Sequence, residues 1–252
     1  MLLNETVSPS LPSLKTSQLF NLIRTLEMLI VGAIMLLAAG PTFAKANVDA
    51  SQWREQLIHI LGTAQAGQSQ QVGVVAEVVI GLEQRKDHRG IEVNFEPGQG
   101  SFSDRTQGAI MLAIDRTARA AHLNPDSWSI FLSFEAPGVT LYGDSLSAMV
   151  GLTVIALAKG DTVQFDRALT GTVTNDGHIG VVSGIPFKID AAHHEHLQRI
   201  LIPDEADATD SDWRTPFLMQ VSPVASISEA YEALTDRPLV TDTSTHSRTS
   251  SR

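Results

Sequence analysis

Two polar side chains stand in apolar surroundings where chemistry could be done. The stretch YGDSLSAMVGLTVIALAKGD, residues 142–161, carries no charged side chain from Ser145 to Ala158, yet it opens on Gly143-Asp144-Ser145. Ser145 follows Gly-Asp where a helix is expected to start. A hydroxyl at that place accepts a backbone N–H as an N-cap, and composition alone favours that role over a nucleophile. Ser147 is the second serine of the stretch, and it replaces the second glycine that a GxSxG elbow would need. Lys188 lies in GIPFKIDAAHH, flanked by Phe187, Ile189 and Ala191, and is one of only five lysines in the chain. A lysine among apolar neighbours usually snorkels to the surface. If it is buried instead, desolvation disfavours its charged form, and a neutral amine can take a proton from a serine hydroxyl.

Other chemistry finds less support. HHEH, residues 193–196, puts His193 and His196 one turn apart on an expected helix, which invites a metal. No fourth ligand is evident and HExxH is absent, so a solvated helix face is the better reading. Neither GxxxxGK[ST] nor a GxGxxG in a βαβ unit occurs, and no cofactor or metal is expected.

The elements that would position Ser145 and Lys188 follow from periodicity. Residues 47–66 read as a short helix leading into a polar linker. VGVVAEVVIGL, 72–82, is a Val-rich strand, and Ile91, Val93 and Phe95 alternate in a second strand, with 83–90 as a hairpin connection. Ile110, Ile114, Ala118 and Ala121 mark a helix stopped at Asn124-Pro125. SIFLSFE is a strand. The helix after Ser145 is apolar all round and so packed on every side, ending at Lys159-Gly160. Residues 168–182 read as a hairpin about Asn175-Asp176-Gly177. A helix follows near Lys188–Leu197. RILIP and FLMQVS are short strands, and Ser226-x-x-Glu229 is a capping box opening the last helix. Strands and helices are mixed without regular alternation, which gives an α+β class.

Composition narrows the function. The 252 residues are 43% hydrophobic with a formal charge of −10, which argues against general nucleic-acid binding. There is no cysteine, hence no thiolate chemistry. MLIVGAIMLLAAG, residues 28–40, is shorter than the roughly 20 residues that span a bilayer. It fits a signal-peptide core with cleavage near Ala44 or Ala46. A retained signal anchor and a buried helix are the alternatives. The expected organisation is 1–46 signal peptide or anchor, 47–71 short helix and linker, 72–236 the folded domain, and 237–252 a disordered Ser/Thr-rich tail.

Taken together, these segments resemble the proteolytic domain of Lon proteases, in the Gly-Asp-Ser branch that includes archaeal and membrane-bound Lon. GDSLSAMVGLTVIALAKGDTV is similar to that family's nucleophile segment, and ALTGTVTNDGHIGVVSGIPFKIDAAHH to its lysine segment, in register without gaps. VNFEPGQG, LNPDS, RILIP and the capped last helix extend the resemblance over about residues 72–236. It implies a Lon-type α+β fold of small mixed sheets, hairpins and packed helices, and a Ser145–Lys188 dyad. It reverses the preference for a simple cap at Ser145. Asp144 and Thr170 match supporting positions, with Thr170 placed to hydrogen-bond the lysine amine. The physical reading agrees, because a nucleophile at a helix N-terminus lies beside unpaired N–H groups suited to an oxyanion.

The expected activity is that of a stand-alone, ATP-independent serine endopeptidase acting on unfolded or flexible polypeptide, exported or membrane-anchored. A ring-shaped homo-oligomer is implied by the resemblance alone. The alternative is a catalytically unproductive Lon-like domain used for binding or assembly. The departures at Leu146 and Ser183 motivate it. Leu146 stands where the family has alanine, Val181 replaces a proline, and Ser183 replaces the first glycine of a Gly-Gly pair. Serine at 183 would be strained if the loop needs a positive φ there.

Overall fold

The computed structural model describes residues 52–66, 70–96, 100–205 and 207–239. The apolar run 28–40, its cleavage sites and the tail beyond 239 lie outside them. Among the described residues no helix is long and apolar enough to cross a membrane.

The chain is α+β. Two long strands, β1 (Gln52–Ala66) and β2 (Gln70–Gln84), pair antiparallel along their full length. β2 then pairs antiparallel with β5 (Trp128–Ser133), which pairs in parallel with β3 (Glu92–Phe95), giving the order β1-β2-β5-β3. A second sheet is wholly parallel, with β10 (Arg199–Pro203) between β7 (Arg167–Leu169) and β11 (Gln220–Val224). Two small ladders complete the strands among the described residues: β4 (Ser101–Phe102) with β6 (Thr140–Leu141), and β8 (Thr172–Val173) with β9 (Ile179–Gly180). Among the described residues the helices are α1 (Asp104–Ala120), α2 (Ser147–Lys159), α3 (Ile185–His194) and α4 (Ile227–Thr235).

Helix α2 is the axis of the core. Every residue from Ser147 to Leu157 is buried, as its unbroken apolar sequence requires. It packs against α1, α4 and the β1-β2 face. Its C-terminus ends on Gly160 in the left-handed region, φ 79°. Beyond that cap, fully buried Tyr231 of α4 donates its hydroxyl to Asp161 Oδ2 at 2.6 Å and ties the last helix to the end of α2. The Ser226–Glu229 capping box opens α4 as the sequence indicates.

Four expectations are corrected. The helix expected within 47–66 is strand β1. Its apolar residues are spaced ambiguously, and fifteen-residue pairing with the Val-rich β2 outweighs local propensity, placing Ile58 and Ile60 on the core side. The 83–90 connection does not form a hairpin. The fully buried Ile130 and Leu132 of β5 take the central place between β2 and β3. The hairpin about residues 175–177 is confined to β8 and β9, because β7 pairs with β10 instead. The strand expected at FLMQVS begins only at Gln220, since Phe217 and Leu218 form an exposed turn with Leu218 at φ 65°.

Helix α3 lies against β2 at Gly73. A Cβ there would stand 1.8 Å from the Phe187 carbonyl oxygen and 2.9 Å from Ala191 Cβ. Replacing Gly73 by Ala is therefore expected to lower stability by roughly 2–3 kcal/mol. Gly62→Ala, whose new Cβ would meet only Val74 Cγ2 at 3.4 Å, serves as the control. Urea unfolding followed by circular dichroism measures both. Equal midpoints for the two variants would show that α3 does not sit on β2 in this way.

Candidate active site

Ser145 is held by backbone geometry, not by capping. Gly143 adopts φ +91°, a conformation strained for other residues, and turns the chain from β6 toward α2. Ser145 occupies the turn before the helix. The cap position is Leu146, which makes no side-chain cap bond, so the cap reading of the Ser145 hydroxyl is not realised. The Ser147 N–H donates to the Asp144 carbonyl at 3.0 Å and that of Ala148 to the Gly171 carbonyl at 3.1 Å. Gly171 N–H returns a bond of 2.7 Å to the Ser145 carbonyl. The turn is thus stitched to the segment that leaves β7. Of the two serines, Ser147 is 2% exposed inside the first turn of α2, whereas Ser145 is only half-buried.

Lys188 comes from α3 and is 3% exposed. It does not snorkel. Its Nζ donates to Thr170 Oγ1 at 3.0 Å, and Thr170 is itself fully buried. The Thr170 hydroxyl donates in turn to the Ser145 carbonyl at 3.3 Å, and its N–H to the Leu201 carbonyl of β10 at 3.0 Å. One threonine therefore connects the lysine amine to the main chain of the serine.

Ser145 and Lys188 line one cleft of about 550 Å³, whose wall includes Leu61 and Thr63 of β1, Val74 of β2, and Leu146. Burial pulls the Lys188 ammonium down to about 8 from its usual 10.5, opposed by the charges of Asp210 and then Asp144. Asp144 lies at the cleft rim, paired to Arg105 of α1 at 3.1 Å in an exposed bridge. Leu146, 4% exposed, belongs to the core and the cleft wall at once.

Two further expectations change. The left-handed residue of the 181–184 loop is Gly184, φ 75°, so serine at 183 carries no such strain. Helix α3 starts at Ile185 and ends at His194, with His196 at φ 59°, so His193 and His196 are not on adjacent turns of one helix. All four residues of HHEH are exposed, and among the described residues no group of three metal-ligating side chains assembles. Sequence reasoning did not find Asp210. It sits in the polar loop DEADATDSDW, where no motif or periodicity distinguishes one aspartate from the next.

Residues 116–233 match the profile of the Lon protease (S16) C-terminal proteolytic domain. The peroxisomal Lon protease homolog 2 of Danio rerio is 39% identical over 74 residues, 29% of this chain and 9% of that protein. The human peroxisomal Lon protease homolog 2 is 36% identical over 78 residues, 31% of this chain and 9% of that protein. An archaeal Lon protease from Archaeoglobus fulgidus is 33% identical over 91 residues, 36% of this chain and 15% of that protein. The matched stretches thus span about a tenth of the length of these relatives.

The buried amine has a signature in stability. Between about pH 8 and 10.5 an unfolded lysine binds a proton that folded Lys188 does not, so its contribution to stability rises with pH across that window. Below pH 8 the full penalty of burying the charge applies. Lys188→Met is expected to flatten the rise. The stability difference between variant and wild type, read from urea midpoints, should favour the variant most below pH 8 and shrink by pH 10. Parallel curves would mean that Lys188 is solvated.

Proposed function

We propose, on the premise that residues 116–233 form a Lon-type proteolytic domain, that the chain is a serine endopeptidase working through Ser145 and Lys188. The observation that carries this reading is the buried Lys188 amine, bonded to Thr170 and opening onto the same cleft as Ser145.

The chemistry follows from these groups. Neutral Lys188 Nζ removes the proton of Ser145 Oγ as the oxygen attacks a peptide carbonyl. The resulting ammonium gives that proton to the departing amine as the C–N bond breaks, leaving an ester on Ser145. A water then loses a proton to Lys188 and attacks the ester; as the bond from the acyl carbon to Ser145 Oγ breaks, the Lys188 ammonium returns that proton to Oγ, releasing the acid product and regenerating the free serine and the neutral amine. Thr170 keeps the amine in place through both transfers. The N–H groups of Ser147 and Ala148 are engaged by Asp144 and Gly171. With those two engaged, the main-chain N–H groups of Ser145 and Leu146, beside the nucleophile, are the donors we assign to the oxyanion.

The cleft suits an extended, flexible segment. No step calls for nucleotide hydrolysis, so cleavage of an unfolded protein proceeds without ATP. Leu146 narrows the wall beside the nucleophile and would set the size of the side chain accepted there.

Ser145→Ala in the full chain is expected to lower kcat/KM on an unfolded protein by at least about 10³-fold. Wild-type kcat/KM should rise with pH about a midpoint near 8, because the base must be neutral. Added ATP should change neither. Undiminished cleavage by Ser145→Ala would sink the reading.

A further inference from the structure

Helix α3 starts on Gly184, which has no side chain to cap it. Its first N–H groups would be left without partners, as at any uncapped helix N-terminus. The missing acceptor is delivered from elsewhere in the chain. Asp210 Oδ1 accepts the N–H of Gly184 at 2.8 Å, and Asp210 Oδ2 accepts the N–H of Ile185 at 2.9 Å. Both carboxylate oxygens are committed to the helix that carries Lys188 one turn further on. The Lys188 N–H itself bonds back to the Gly184 carbonyl at 3.1 Å. The carboxylate and the lysine thus grip the same residue from its two sides.

We propose that Asp210 is a positioning residue for the Ser145–Lys188 pair: reaching back from the loop after β10, its carboxylate supplies the cap that α3 lacks and fixes the turn that carries Lys188 into the cleft. The functional meaning of this rests on the peptidase reading; the geometry does not. A second consequence follows from charge. Lys188 is faced by Asp210 from the loop after β10, by Asp144 from the turn before α2, and by the neutral Thr170 hydroxyl after β7. Arg105 of α1 acts at one remove, through its pairing to Asp144. Asp190, on the same helix, is exposed. Of the two anions, Asp210 has the larger effect in holding up the affinity of Lys188 for its proton. The same residue therefore places the base and limits how much of it is neutral near pH 7.

The test is a titration of Lys188 in the full chain labelled with ¹³Cε-lysine, where only five lysines need assignment. It needs no substrate. Asp210→Asn is expected to lower the Lys188 midpoint by roughly half a pH unit or more. The kcat/KM profile should shift by the same amount, with a reduced plateau. Asp210→Glu keeps the charge and should restore the midpoint. Asp207→Asn, in the same loop, should leave it in place. An unmoved midpoint in Asp210→Asn overturns the proposal. Should that variant fail to fold, amide exchange in the wild type decides. The N–H groups of Gly184 and Ile185 must be protected well beyond those of exposed Ser211 and Asp212, and exchange at the rate of those two overturns the proposal equally. An inactive wild type with a shifted Lys188 midpoint in Asp210→Asn would refute the peptidase reading while leaving this one standing.

Discussion

A primary amine held out of water against a single threonine hydroxyl is the constraint around which the site is arranged. Burying an ammonium is unfavourable unless hydrogen bonds and charge compensate it. Here the compensation comes from three separated parts of the chain. Thr170 follows a strand of the parallel sheet, Asp144 precedes the central helix, and Asp210 leaves the loop after β10. The amine therefore holds its place only when the parallel sheet, the central helix and the α3 cap are all in place. Local integrity of the site and integrity of the fold are the same condition.

The central helix makes this possible. Because α2 is apolar on all sides, it offers no face to solvent, and its N-terminal turn is anchored to the strand exit at Gly171 by two main-chain hydrogen bonds. That anchorage substitutes for a side-chain cap. It leaves the Ser145 hydroxyl uncommitted to the helix while keeping the Ser145 main chain rigid. On the other side, Gly73 lets α3 approach β2 at backbone distance, which sets the depth at which Lys188 enters.

Much of this was legible in the sequence. The apolar helix, the β8–β9 turn, the capping box and the matching register of Ser145, Thr170 and Lys188 all rest on local pattern or on a long motif. What was not legible depends on partners distant in the chain. β1 looks helical until β2 pairs with it. β3 looks like a hairpin arm until β5 displaces β2 as its neighbour. By composition alone Gly-Asp-Ser looks like a cap, and the main chain of Gly171 supplies the anchorage in its place. Asp210 is one aspartate among several, and only the helix it reaches, 26 residues away, tells it from the others.

The Thr170 hydroxyl has a single hydrogen, and it is directed to the Ser145 carbonyl. Toward the amine it can only receive. An ammonium and a neutral amine both have a hydrogen to offer, so this contact survives whether Lys188 is charged or not. In the proposed reaction a proton would arrive and leave twice in each turnover without any rotor near the amine swinging to a new partner. The groups that accommodate the changing charge are oriented beforehand, and the reorganisation that a solvated amine would demand of surrounding water at each transfer is largely absent.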